Sequence, residues 1–260
     1  MSGRSLGFTG GTIDKLESIP GFVTGLTKEQ FIKELNDIGM VVASQTDNLV
    51  PLDKVVYALR DVSGTTESIP LIAVSIMSKK IASGADKILI DIKVGKGALL
   101  KTMKDARNLK DIMIRIGARY NKEVRCLISE MNNPLGMCVG NSLEVAEAVE
   151  LLNGKVKNNL YDLCVDIASN MVSMALGCSM IKARKAVIDS IESKKAYNKL
   201  LEFINYQHGN LDKMKISKSK IEVQSSRSGV VKSIDAHKIS EISCLLGSGK
   251  MKKDDVIDHE

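Results

Sequence analysis

Two groups of residues in this sequence combine types and spacing that suit chemistry. The first is Ser2-Gly3-Arg4-Ser5-Leu6-Gly7-Phe8-Thr9-Gly10-Gly11-Thr12, which runs directly into the helix-forming Ile13-Asp14-Lys15-Leu16-Glu17. Glycines let the backbone approach a ligand closely, and a helix start presents unpaired N–H groups with a partial positive charge, a combination suited to an oxyanion such as phosphate. The hydroxyls of Ser2, Thr9 and Thr12 add donors. No GK[ST] follows the glycines, so this is not a Walker A loop. Composition equally allows a glycine-rich turn with Thr12 as the helix cap.

The second group joins Tyr57-Ala58-Leu59-Arg60-Asp61 to the stretch from Ser68 to Lys80. Ser75 and Lys79 are four apart in an expected helix, so a hydroxyl and an ammonium share one face. Arg60 adds a planar fork of donors. Three donors without a paired carboxylate suit a ligand rich in carbonyl oxygens or one that becomes anionic; the alternative for Lys79 is a solvated surface lysine. The three histidines, His208, His237 and His259, all lie in the last quarter of the chain, which leaves no histidine acid or base among the first 207 residues. No catalytic side chain is assigned.

The elements that must position these groups follow from periodicity. Strands are expected at Gly39 to Ser44, Lys87 to Ile92 and Glu123 to Ile128, alternating with helices at Thr12 to Ser18, Lys28 to Asp37, Ser68 to Ser83 and Met103 to Tyr120. The helix opening at Ser68 has Pro70 in its first turn and Gly84 past its end, both at positions that suit helix boundaries. After Asn141 the pattern is helical: Ser142 to Leu152, Asn159 to Leu176, Ser179 to Ser193 and Ala196 to Tyr206. His208 to Lys220 reads as a polar linker, and Ile221 to Gln224 with Gly229 to Ile234 as a small β-rich unit. The fold class is therefore α/β, a central parallel or mixed sheet flanked by helices, with a small β-rich part at the C-terminal end.

Composition narrows the function classes. Lysine plus arginine (37) exceeds aspartate plus glutamate (31) by only 6, and aromatics make up 3% with no Trp, so neither a nucleic-acid surface nor base-stacking platforms are expected. The five cysteines, Cys126, Cys138, Cys164, Cys178 and Cys244, form no CxxC and read as reduced, mostly buried thiols. No apolar run approaches the roughly 18 residues of a membrane span, and no apolar segment follows Arg4 as in a secretory signal. A cytoplasmic protein with no membrane partner is expected.

Four blocks, SGRSLGFTGGTIDKLESIPGF, YALRDVSGTTESIPLIAVSIMSKKIASGAD, DIKVGKGALLKT and MNNPLGMCVGNSLEVAEAVELLNG, resemble, in order and spacing, the thymidine and pyrimidine-nucleoside phosphorylase family. The resemblance runs through essentially the whole chain. It implies reversible phosphorolysis, in which phosphate displaces the base from C1′ of uridine, deoxyuridine or thymidine to give a pentose 1-phosphate and free pyrimidine. By the same resemblance, Arg60, Ser75 and Lys79 match the residues that grip the pyrimidine, and Ser2 and Thr12 match phosphate ligands. A potassium-type ion is implied at Leu135, Cys138 and Glu147, with Cys138 contributing its carbonyl and not its sulfur. No organic cofactor is implied.

The expected organisation has a phosphate-binding α/β lobe at 1–51 and 85–207, part of a helical pyrimidine-binding lobe at 52–84, and a linker with a partial C-terminal domain at 208–260. Relatives are expected to be homodimers joined through the helical lobe. They also carry, ahead of the SGR block, a second phosphate loop of the KxSxGG type with a histidine beside it, which these 260 residues lack. Phe8 stands where the family usually has histidine. The chain is therefore expected to read as the middle of a longer enzyme with weak or absent turnover by itself, a binding remnant or one part of a two-polypeptide enzyme being the alternatives. The YALRD and SIMSKK elements disfavour the related anthranilate phosphoribosyltransferases.

Overall fold

A computed structural model describes residues 2–4, 10–44, 50, 52, 56, 59, 63–65, 67–249 and 257–259. Its elements are α1 (Thr12–Glu17), α2 (Lys28–Ile38), α3 (Ile69–Ala82), β1 (Lys87–Val94), α4 (Met103–Arg119), β2 (Glu123–Glu130), α5 (Asn141–Leu152), α6 (Asn159–Leu176), α7 (Met180–Glu192), α8 (Lys195–Tyr206) and α9 (Ala236–Ser243). The architecture is mixed α/β with a parallel sheet flanked by helices. The chain forms two compact units: Met1–Gln45, Pro134–Tyr161 and Asp189–Glu260 make the first, Thr46–Asn133 and Asp162–Ile188 the second.

In the second unit β1 and β2 pair in parallel from Lys87 opposite Glu123 to Val94 opposite Glu130. Because side chains alternate across a strand, Ile88, Ile92 and Val94 share one face with Cys126 and are buried against α3 and α4. The crossover helix α4 turns Ala106, Leu109, Met113 and Gly117 to that core at helical spacing. A Cβ on Gly117 would lie 2.2 Å from Val124 Cγ2, so helix and strand can approach this closely only at glycine. The other sheet face is polar. There Ser129 Oγ donates to Asp91 (2.6 Å), Lys93 pairs with Asp91 (2.8 Å), and Arg125 donates to Asn170 of α6 (3.2 Å).

The first unit is built on Ile19, Phe22, Phe203 and Ile204, with the two phenylalanine rings edge to face at 5.4 Å. Gln207, 1% exposed, stitches two extended segments: its side-chain amide donates to the carbonyls of Val23 (2.7 Å) and Val42 (2.9 Å), and its own carbonyl accepts from Val23 N (2.8 Å). α2 opens on a reciprocal cap, with Gln30 N donating to Thr27 Oγ1 (3.2 Å) and Thr27 N to Gln30 Oε1 (2.8 Å), and closes on Gly39 at φ 76°.

The helices expected from periodicity all form, with ends shifted by at most one or two residues. Three expected strand segments do not form. Residues 40–43 are extended but make no ladder; their backbone groups go to Gln207 and Ser2, and Ser44 N donates to Thr24 O (2.9 Å), leaving one isolated bridge between Ser2 and Ser44. The runs at 221–224 and 229–234 form no strand either. Ile221, Val223 and Val230 are 93, 93 and 96% exposed, and β-branched residues without a neighbouring sheet gain nothing from pairing alone. α9, capped by Asp235 through His237 N (3.0 Å), was not foreseen. The thiols are less buried than expected: Cys126 and Cys244 are buried, Cys138 and Cys178 half-buried, and Cys164 exposed on α6. No single described helix is long and apolar enough to cross a membrane.

Candidate functional site

The residues expected to hold an oxyanion lie in the first unit. Gly11, not Thr12, caps α1, and Thr12 is its exposed first residue, so the hydroxyl is turned to solvent rather than used on the helix. Ser2 is half-buried, its N–H donating to Ala43 O (3.0 Å), and the next carbonyl, Gly3 O, accepts from Ile13 N (3.3 Å). These bonds lay the Ser2-Gly3 segment beside Thr12. Arg4 does not face the same way: its guanidinium donates to Asp14 Oδ1 (3.2 Å) and grips Glu17 with both terminal nitrogens (2.5 and 2.8 Å). Burial pushes the Glu17 carboxyl up, but hydrogen bonds from Arg4 and Thr24, with the charge of Arg4, bring it below its ordinary value. Thr9 and Phe8 lie outside the described residues.

Ser75 and Lys79 sit on α3 in the second unit, which forms because Pro70 occupies its first turn and Gly84 lies past its end at φ 81°. Ser75 is 7% exposed. Lys79 Nζ donates to Ser75 Oγ (3.0 Å) and to Ser75 O (3.1 Å), so the helical spacing brings hydroxyl and ammonium together as expected. Buried Met77 and Ala73 anchor the opposite side of this turn. Arg60 lies outside the described residues.

The expected ion site gathers around Glu147 of α5, a carboxylate only 7% exposed. Oε1 accepts from Met137 N (2.9 Å) and Asn158 Nδ2 (2.9 Å), and Oε2 from Cys138 N (3.0 Å). Gly136, at φ 77°, closes the turn above it; a Cβ there would lie 2.6 Å from Oε2. The loop carrying Leu135 and Cys138 is thus wrapped on the carboxylate, and Asn159 Oδ1 holds Gly136 N (3.1 Å) from the far side. Among the described residues, both lone pairs of Oε1 are occupied and one of Oε2 is open. No lysine or arginine pairs with Glu147 among the described residues. A buried carboxylate with an open oxygen and no counter-charge fits a hard cation bound by oxygen. Burial, then the negative charges of Glu147 and Glu144, push the Cys138 thiol up, so its sulfur stays neutral.

Two supporting sets escaped the sequence reading. Asn158 and Asn159, which fix the ion loop, sit in a stretch with no motif. The acceptors of Arg4 did carry a signal, because Asp14 and Glu17 are three apart and so share one face of α1.

Residues 1–204 match the family model described as the a/b domain of a glycosyl transferase family. Among curated relatives, the pyrimidine-nucleoside phosphorylase of Staphylococcus epidermidis (strain ATCC 12228) is 45% identical over 265 residues, covering 99% of this chain and 61% of that protein. Those of Staphylococcus haemolyticus (strain JCSC1435) and Bacillus subtilis (strain 168) are each 44% identical with the same coverage. The chain therefore spans about three-fifths of the length of these relatives.

Proposed function

The chain belongs to the glycosyl transferase family, carrying its a/b domain over residues 1–204, and on that premise we propose that it serves phosphorolysis of pyrimidine nucleosides by inorganic phosphate. The observation that carries this reading is the Lys79–Ser75 pair, a cation and a hydroxyl joined at 3.0 Å on one helix face. In the proposed reaction a phosphate oxygen bonds to C1′ of uridine, deoxyuridine or thymidine as the bond from C1′ to the ring nitrogen breaks. The bonding pair leaves with the pyrimidine, whose ring carbonyls become anionic. Lys79 Nζ and Ser75 Oγ, joined by Arg60, would donate to those oxygens and strengthen their hold as the charge develops. Ser2 and Thr12 would hold the phosphate with hydroxyl and backbone donors. Uracil and thymine share the ring edge that these groups read, so one grip serves all three nucleosides.

A potassium-type ion would be held by the carbonyls of Leu135 and Cys138 and the carboxylate of Glu147, neutralising a buried charge and stiffening the loop around Gly136. The same reading includes a homodimer in the cytoplasm. The test is release of free base from uridine or thymidine plus phosphate. Unaltered chain is expected to release base weakly at most, in a phosphate-dependent manner, and Lys79→Ala to reduce that rate about tenfold or more, the worth of a charge-assisted hydrogen bond. An unchanged rate in Lys79→Ala, or release at the ordinary rate of the longer relatives, overturns the reading, and uracil binding decides where turnover is absent.

A further inference from the structure

We infer that Arg4 is a positioning residue for the phosphate site, holding the Ser2-Gly3 segment against the start of α1; the inference rests on the reading of Ser2 and Thr12 as phosphate ligands. An arginine in a glycine-rich segment invites assignment as an anion contact. Its fork is already occupied, with one terminal nitrogen shared between Asp14 and Glu17 and the other on Glu17. One guanidinium facing two carboxylates has no positive charge to spare for a ligand.

What the pairing does is close a circuit. Glu17 Oε1 also accepts from Thr24 Oγ1 (2.6 Å). Thr24 O in turn accepts from Ser44 N (2.9 Å) and Ser44 Oγ (3.2 Å). Ser44 bridges Ser2, whose N–H donates to Ala43 O (3.0 Å), and Gly3 O takes Ile13 N (3.3 Å). Ser2 and Gly3 are thereby tied to residues 43–44 on one side and to α1 on the other, and Arg4 is the side chain that locks the two ties together. The arrangement is stiff where it matters: Asp14 is fully buried and Thr24 is 4% exposed, whereas the Arg4 side chain is 54% exposed. Removing Arg4 therefore frees the segment without opening a cavity.

The test uses the full chain, isotopically labelled, titrated with inorganic phosphate while the amide signals of Gly3 and Thr12 are followed. Unaltered protein is expected to show saturable shifts at both. Arg4→Ala is expected to weaken phosphate binding about tenfold, and Arg4→Lys to recover only part of it, because an ammonium cannot reproduce the two-pronged grip. Thr24→Val, which breaks the circuit without altering charge, is expected to weaken binding about fivefold, and the double variant Arg4→Ala/Thr24→Val to be no worse than Arg4→Ala. Binding within twofold of the unaltered chain in Arg4→Ala or in Thr24→Val overturns the inference, and so does strict additivity of the two. If Arg4→Ala fails to fold, Thr24→Val decides alone. Absence of any saturable response in the unaltered chain instead refutes the phosphate reading itself, and the inference with it.

Discussion

Replacing Glu34 by leucine is expected to stabilise the chain, and to do so increasingly as pH rises. Glu34 is the one residue of α2 that is buried, at 2% exposure, and its Oε1 has no hydrogen-bond partner among the described residues. Burial pushes its carboxyl from the ordinary 4.5 up to about 7. The sign follows from proton counting. Between these values the folded chain holds a proton that the unfolded chain has released, so stability falls as pH rises from 4.5 and the loss is complete above about 7. At about 1.4 kcal/mol per pH unit the full penalty is roughly 3 kcal/mol; Glu34 is covered but shallow, which sets the working figure at about 1 to 3 kcal/mol. The assay is urea unfolding of the unaltered chain and of Glu34→Leu at a series of pH values between about 4.5 and 8.5. The stability difference between the two should widen by that amount from about pH 4.5 to about 7 and stay level above that. A difference that is constant with pH would show that Glu34 does not titrate between the two states as described, because a pH-independent gain reports only the added apolar contact.

Other perturbations follow from the same geometry. Gly136→Ala should cost about 1 to 3 kcal/mol in urea unfolding, since the residue sits at φ 77° and the new methyl would meet Glu147 Oε2 at 2.6 Å. Acid should remove the contribution of Glu17: its carboxyl is depressed in the folded chain, so the stability it lends is present above the ordinary carboxylate range and is lost as pH falls through the lower folded value. Glu17→Gln should flatten that acid limb of the unfolding curve. Thiol labelling should order the cysteines, with exposed Cys164 modified in the native protein and Cys126, buried and pushed up to about 11, modified only on unfolding.

Helices were legible in the sequence because their signals are local. Pro70 and Gly84 bracket α3, and the amphipathic stretches of α2 and α4 follow the helical period. The two strands β1 and β2 were legible as short runs rich in branched apolar residues, KILIDI at 87–92 and EVRCLI at 123–128. Gly39 to Ser44 misled for a physical reason: a run of β-branched residues looks the same whether its backbone pairs with another strand or with a glutamine 165 residues away. The Ser75–Lys79 pair needed only helical periodicity. The Glu147 nest needed Asn158 and the turn at Gly136, contacts made in space between segments that share no pattern, and Glu147 by itself reads as an ordinary helix-surface glutamate.

On the proposed function, Lys79 and Ser75 form a grip for a pyrimidine. Calorimetric titration of the full chain with uracil tests it most directly, because it needs no turnover. Saturable uracil binding is expected, weakened about tenfold by Lys79→Ala and by less in Ser75→Ala, in keeping with a charged against a neutral donor. Absence of uracil binding, or binding unchanged in Lys79→Ala, would contradict it.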